Sequence, residues 1–241
     1  MTVILVACAA FVATYIGGSF AIRFRDKLHL ILGFSAGAVV GVALFDLLPE
    51  SMALSAPYFA PRMLTLALAA GFLFYLLLDR LILLHTHDED DEAGAGNVHR
   101  GFLGAATLSI HSFLDGVAIG VGFQASLAVG IVITAAVLTH DFSDGINTVN
   151  VVLKNGGARA RAFRWLFVDA LAPVMGAAST LLFAIPERWL GIVLAVFAGF
   201  FLYLSASDLI PESHHRHPRV ATTLMTILGA AVLYAVVALT G

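Results

Sequence analysis

The stretch His111-Ser112-Phe113-Leu114-Asp115-Gly116 sets an imidazole and a carboxylate four residues apart. In a helix such a pair shares one face, one turn apart. A near-copy follows, His140-Asp141-Phe142-Ser143-Asp144-Gly145, with the same spacing and an added acid at Asp141. Two imidazoles and three carboxylates lie in apolar runs that contain no lysine or arginine, so they cannot neutralise one another. Either the acids hold protons or the set shares a cation. Imidazole with carboxylate suits zinc, iron, manganese, cobalt and cadmium, whereas an all-oxygen set points to magnesium or calcium. Two ligands from each of two helices make the four-ligand shell that zinc adopts. A shell without thiolate binds less tightly than a structural cysteine site, as a carrier that must release its cargo requires. Two rival readings stand beside this one. The histidines serve as interhelical hydrogen-bond partners, or the set relays protons without metal. The His-Glu-x-x-His pattern of zinc proteases is absent, so neither an enzyme nor a catalytic cofactor is expected.

The elements that must position these residues are membrane helices. Of 241 residues, 60% are hydrophobic and only 12% charged, where a soluble domain carries roughly 25% charged residues. Backbone groups in lipid must bond within their own segment, which selects helices over weakly alternating barrel strands. We read an all-α polytopic membrane protein with eight transmembrane helices, at about 2–22, 29–48, 63–84, 101–123, 126–152, 165–185, 189–210 and 220–240. With the amino terminus outside, eleven of the thirteen Lys and Arg fall on the cytoplasmic side, and only Arg62 and Arg188 on the other. This bias predicts that both termini are extracytoplasmic. The first span has no basic region before it and is too long for a signal-peptide core. The single cysteine, Cys8, excludes an internal disulfide and reads as a small apolar filler. No basic patch with interleaved aromatics suggests nucleic acid.

A repeat organises the chain. AGAVVGVALFDLLPES at 36–51 and AGFFLYLSASDLIPES at 198–213 match in register, each with an Asp nine residues after the Gly. The offset crosses five spans, an odd number, so the copies run in opposite directions. This is an inverted repeat of spans 1–3 and 6–8 around spans 4 and 5, a common plan in secondary transporters. The whole chain, 1–241, reads as one transmembrane transporter domain. Residues 85–100 (HTHDEDDEAGAGNVHR) form a cytoplasmic loop rich in His and acids. Its His85 and His87 are candidates for sensing metal rather than carrying it. Residues 49–62 read as an outer loop and 154–164 as a basic connection.

The repeat sets matching carboxylates at opposite mouths. Asp46 and Glu50 are candidate entrance groups at the outer end of span 2. Asp208 and Glu212, with His214, His215 and His217, are candidate exit ligands at the inner end of span 7. Terminal acids at a water interface are the plainer reading of Glu50 and Glu212. Pro49 and Pro211 mark the ends of their helices. Gly116 and Gly145 are expected to bring spans 4 and 5 close together. A faced pair such as Gly17-Gly18 permits association with a second copy.

Taken together, these features resemble the ZIP (Zrt-/Irt-like protein) family of divalent metal transporters, in its prokaryotic form. The residues that carry the resemblance are HSFLDG in span 4, HDFSDG in span 5, the Pro-Glu ending of span 2 and the His-rich loop. It covers essentially the whole chain. The resemblance implies a metal site on spans 4 and 5, sometimes binuclear, with metal moving into the cytoplasm. His111, Asp115, His140 and Asp144 would be the primary ligands, and Asp141 and Ser112 would serve a second site. It also implies a homodimer. The chain departs from the family in three places. Asp115 and Asp144 stand where members often have Glu, Ser112 where some have Asn, and Ala172 where binuclear members have Glu before the span 6 proline. Asp169, one turn before Pro173, is either the substitute ligand or an aspartate near the helix end. These departures predict one metal held firmly and a second weakly or not at all. The expected function is alternating-access transport of divalent metal, zinc foremost, across a bacterial inner membrane. The alternatives are a proton-coupled carrier of a non-metal solute and a membrane metal sensor. The expected partners are divalent metal ions and the lipid bilayer.

Overall fold

The computed structural model describes residues 2–20, 28–87, 95–215 and 220–240. The side chains of 28, 81–87, 95–97, 215 and 240 lie outside that description. The helices are α1 (Thr2–Ser19), α2 (Leu28–Val42), α3 (Leu48–Ser55), α4 (Pro61–His87) and α5 (Ala95–Ala125). They continue with α6 (Leu127–Lys154), α7 (Arg159–Ser179), α8 (Glu187–Tyr203), α9 (Ile210–His215) and α10 (Val220–Thr240). Among the described residues there is no strand, and eight helical stretches are long and apolar enough to cross a membrane. The continuous stretches containing α2, α6 and α8 are the most enclosed, each 61% buried, against 28% for α1, 22% for α4 and 17% for α10. α1, α4 and α10 therefore form the rim, and the stretches of α2, α6 and α8 sit inside.

Two of the eight stretches are composite. A π-helical segment, Ala43–Leu47, joins α2 to α3, and another, Leu204–Leu209, joins α8 to α9. The prolines expected to end these helices do not end them. Pro49 and Pro211 lack the N–H that an α-helix needs. The chain instead makes i→i+5 bonds, from Leu48 N–H to Ala43 O and from Ile210 N–H to Ser205 O. One wide turn absorbs the missing donor, and the helix runs on to Ser55 and to His215. The expected 49–62 loop is thereby reduced to the turn after Ser55. α7 likewise begins at Arg159, because a helix whose first turns are basic escapes a hydropathy reading. Helix also extends through His87 and resumes at Ala95, so of the expected 85–100 loop only 88–94 lies outside the described residues.

The helices pack as two bundles. α1, α5, α6 and α7 form one; α2, α3, α4, α8, α9 and α10 form the other. Within each, reciprocal glycines let two backbones touch. Gly17 meets Phe142 O while Gly145 meets Thr14 O, closing α1 on α6. Gly116 meets Pro173 O while Gly176 meets Phe113 O, closing α5 on α7. In the second bundle Gly37 and Gly229 do the same for α2 and α10, and Gly71 and Gly199 for α4 and α8. A methyl at any of these positions collides with a backbone carbonyl, so only glycine permits the approach. Three expectations are corrected here. Gly116 and Gly145 do not join spans 4 and 5 but bind each to an outer neighbour. Gly17 and Gly18 are buried against α6 and Leu166, not offered to a second copy. Cys8 is exposed on α1 and fills no interior space.

Between the bundles, α2 and α6 meet through an apolar seam. Ala36, Val39, Val42 and Ala43 pack there with Val129, Val132, Ile133, Ala136 and Val137, all buried. This plug fills the Leu127 half of α6.

Candidate metal centre

The polar turns of α5 and α6 face each other in mid-helix. His111 Nε2 lies 3.1 Å from Asp115 Oδ2 and 3.5 Å from Asp144 Oδ2. His140 Nε2 lies 3.2 Å and 3.8 Å from the same two oxygens. The four ligand atoms are all within 4.8 Å of one another, and all four residues are buried. Four donors on ~2.0–2.1 Å bonds to one tetrahedral ion stand about 3.3 Å apart, the scale of these edges.

Hydrogen bonding fixes what the atoms offer. His140 Nδ1–H donates to Ala136 O at 3.0 Å, one turn back. In a neutral ring Nε2 is then a lone pair, and it faces Asp115 Oδ2. Lone pair against carboxylate is repulsive unless a proton or a cation lies between them. His111 Nε2, despite its 3.1 Å approach to Asp115, makes no in-line hydrogen bond, and Asp115 Oδ1 and Asp144 Oδ2 are also unpartnered. One buried group of four possible ligand atoms, close enough together to share a single ion, is the result. That is what a cation-binding set looks like with its charges still uncompensated.

The second bundle supplies walls. The Phe200 ring stacks 5.6 Å from His111, and Tyr75 meets it edge-on at 6.0 Å. A cavity of about 620 Å³ runs from His111 and Asp144 past Asp79 and Asp208 to Glu212, Arg100 and Lys154. Access is thus open along the Lys154 half of α6, while the apolar plug closes the Leu127 half. Asp79 is a cavity acid absent from the sequence reading; it accepts from Tyr203 Oη at 3.0 Å. The signal was available, since a carboxylate inside an apolar span is functional by default.

The other predicted residues separate into groups. Asp141 is fully buried beside His140 but stands outside the four-atom set, with neither oxygen bonded. Asp169 is not near the helix end; it is fully buried and accepts from Ser112 Oγ at 2.8 Å and Thr148 Oγ1 at 2.7 Å. It thereby ties α5, α6 and α7 together, and Pro173 leaves its backbone carbonyl without the usual helical donor. Asp46 lies in the Ala43–Leu47 segment, buried, with one oxygen unpartnered, and Glu50 follows it in α3. Asp208 and Glu212 line the cavity. His214 does not: its Nδ1 contacts Ile210 O at 3.0 Å and its Nε2 contacts Thr223 Oγ1 at 3.2 Å. His217 and the side chains of His85, His87 and His215 lie outside the described residues.

Residues 82–237 match the family pattern described as ZIP Zinc transporter. Zinc transporter ZupT of Chlorobium luteolum is 32% identical, over 95% of this chain and 94% of its own. The chain belongs to the ZIP zinc transporter family. Zinc transporter ZIP9 of Xenopus tropicalis is 25% identical over 91% of this chain and 88% of its own. Zinc transporter ZIP13 of Pongo abelii is 26% identical over 77% of this chain; the chain spans only 58% of that longer relative. ZIP proteins are transporters rather than enzymes.

Within this ZIP chain, Asp141 gives a separable test of a second metal. Asp141→Asn replaces a fully buried carboxyl that has no hydrogen-bond partner by a neutral isostere, so apo stability should hold or rise. High-affinity zinc stoichiometry, read by equilibrium dialysis and elemental analysis, should be unchanged. A fall in bound zinc would place Asp141 at a second site.

Proposed function

We propose that this protein carries divalent metal, zinc foremost, into the cytoplasm by alternating access, with His111, Asp115, His140 and Asp144 as the transported ion's ligands. The observation that carries the reading is the convergence of these four atoms with lone pairs and carboxylates facing one another. Zinc, an imidazole-and-carboxylate metal, is the natural occupant, and cadmium, iron, manganese and cobalt share that chemistry. The family membership and the zinc-transporter names of the relatives support the same cargo.

All four ligands sit on α5 and α6, in one bundle, so the site moves as a unit with that bundle. The other bundle supplies the plug on one side and the acid-lined cavity on the other. The cavity opens where Arg100 and Lys154 lie, the side to which the positive-inside bias assigns the cytoplasm, and this supports release on that side. This arrangement is read as the release state, with Asp208, Asp79 and Glu212 as successive low-affinity carboxylates on the way out. Asp46 and Glu50 would collect cations at the opposite mouth, and both termini would face outward from a bacterial inner membrane. The inverted repeat is supported by the paired clasps and by the two π-helical segments. Gly37 and Gly199 share the 162-residue offset that relates the repeat sequences, as do Asp46 and Asp208.

The test is uptake. Proteoliposomes holding a zinc-sensitive dye should brighten on external zinc, and protein-free vesicles should not. Absence of flux in either protein orientation overturns the reading. A cheaper companion is thermal stability in detergent. Zinc at ~100 times its Kd should stabilise the protein by about 2.7 kcal/mol, and a chelator should reverse it. A carrier of a non-metal solute would show no such response.

A further inference from the structure

Ser35 on α2 donates to the backbone carbonyl of Thr139 on α6 at 2.6 Å. The bond crosses from one bundle to the other, through an otherwise apolar seam, and lands on the residue before His140. Ser35 is fully buried. Its end of the bond is well anchored: Ser205 Oγ donates to Ala36 O at 2.9 Å, holding that turn of α2 to its own bundle. The Thr139 end is rigid too, because Thr139 Oγ1 and His140 Nδ1 both bond Ala136 O, at 2.6 Å and 3.0 Å.

We propose that Ser35 is a releasable latch, a positioning residue that holds α6 and its metal ligands in the cavity-open state. The inference rests on the alternating-access reading above. A serine hydroxyl in a helix has a second acceptor within reach, the carbonyl one turn back on its own helix, here Ile31 O. When the bundles shift, the hydroxyl rotates to that carbonyl and no buried donor is stranded. A bond with such a fallback biases the two states without trapping either. Valine or leucine in the seam cannot do this, since their contacts carry no directional preference for one register.

The test reads the opposite state directly. Ala136 is buried in the plug, one turn toward the Leu127 end from His140. In a Cys8→Ser background, Ala136→Cys should react with a membrane-impermeant maleimide applied from outside only when the plug opens. Removing a hydrogen bond of ordinary net strength shifts the state ratio about two- to twelvefold. Ser35→Ala should therefore raise the outside labelling rate by that factor, and Ser35→Thr, which keeps the hydroxyl, should stay near the parent rate. An unchanged rate in a monodisperse Ser35→Ala protein overturns the latch while leaving alternating access intact. If Ala136→Cys never labels in the Ser35 parent, with or without zinc, alternating access itself fails and the latch with it. Should Ser35→Ala not fold, Ser35→Thr against Ser35→Val makes the same comparison at matched volume.

Discussion

Zinc uptake should fall to the level of protein-free vesicles when His111 and His140 are both replaced by alanine. These two rings supply both nitrogen donors of the four-atom set, and each touches both carboxylates within 3.8 Å. Losing even an outer partner of a metal ligand costs about 10–100-fold in affinity. Losing two ligands outright should weaken zinc binding by more than about 100-fold, beyond what a carrier tolerates. The fold is not expected to collapse with it. His111 packs on Phe200 and Tyr75, but neither ring has its only contact there, since Tyr75 and Phe200 also meet each other at 4.4 Å. Asp115→Asn sharpens the test, because it removes charge and keeps shape. Zinc binding and uptake should drop, because a neutral amide in place of this carboxylate no longer offsets the ion's charge. If the double alanine variant is monodisperse and still binds and transports zinc as the parent does, the ion is held elsewhere.

The parts of this site that the sequence disclosed are those tied to fixed helical geometry. His111 with Asp115 and His140 with Asp144 stand four apart, and a helix leaves no choice about which face they share. The eight spans were equally legible, because the need to satisfy backbone groups in lipid makes apolar length decisive. What escaped was the identity of partners. Gly116 and Gly145 announced close packing, but nothing in a local pattern says against which helix. The structure pairs them with α7 and α1. Asp169 reads from the sequence as either a substitute ligand or an aspartate near the helix end, yet Ser112 and Thr148 meet it from two other helices. The prolines were read by their local effect on an α-helix. The i→i+5 turns that neutralise that effect depend on how the whole stretch is packed. Ser35 gave no signal at all, since a serine in an apolar helix satisfies itself equally well at home.

The glycine clasps carry the second large effect, and they separate the two bundles by function. Gly116→Ala places a methyl against the Pro173 carbonyl, and Gly145→Ala against that of Thr14. Backbone cannot turn aside as a side chain can, so α5 must lift from α7, or α6 from α1. Overpacking of this kind costs about 1–3 kcal/mol, and a chain of this size loses about 2–4 °C of Tm per kcal/mol. Both glycines directly follow a candidate ligand, Asp115 and Asp144, and metal sites tolerate only ~0.2 Å of drift in bond length. Zinc affinity should therefore fall in both variants, although no ligand is altered. Gly71→Ala sets the same collision in the other bundle, against Val196 O. It should lower Tm comparably and leave zinc affinity near the parent value, because every ligand rides on the first bundle. Gly41→Ala, whose methyl would meet the Leu233 side chain at 3.2 Å and the Ala230 Cα at an ordinary 3.5 Å, should be the mildest of the set. Thermal melts and zinc titrations on these four variants decide the matter. If Gly71→Ala weakens zinc as much as Gly116→Ala does, the two bundles are not separate bodies.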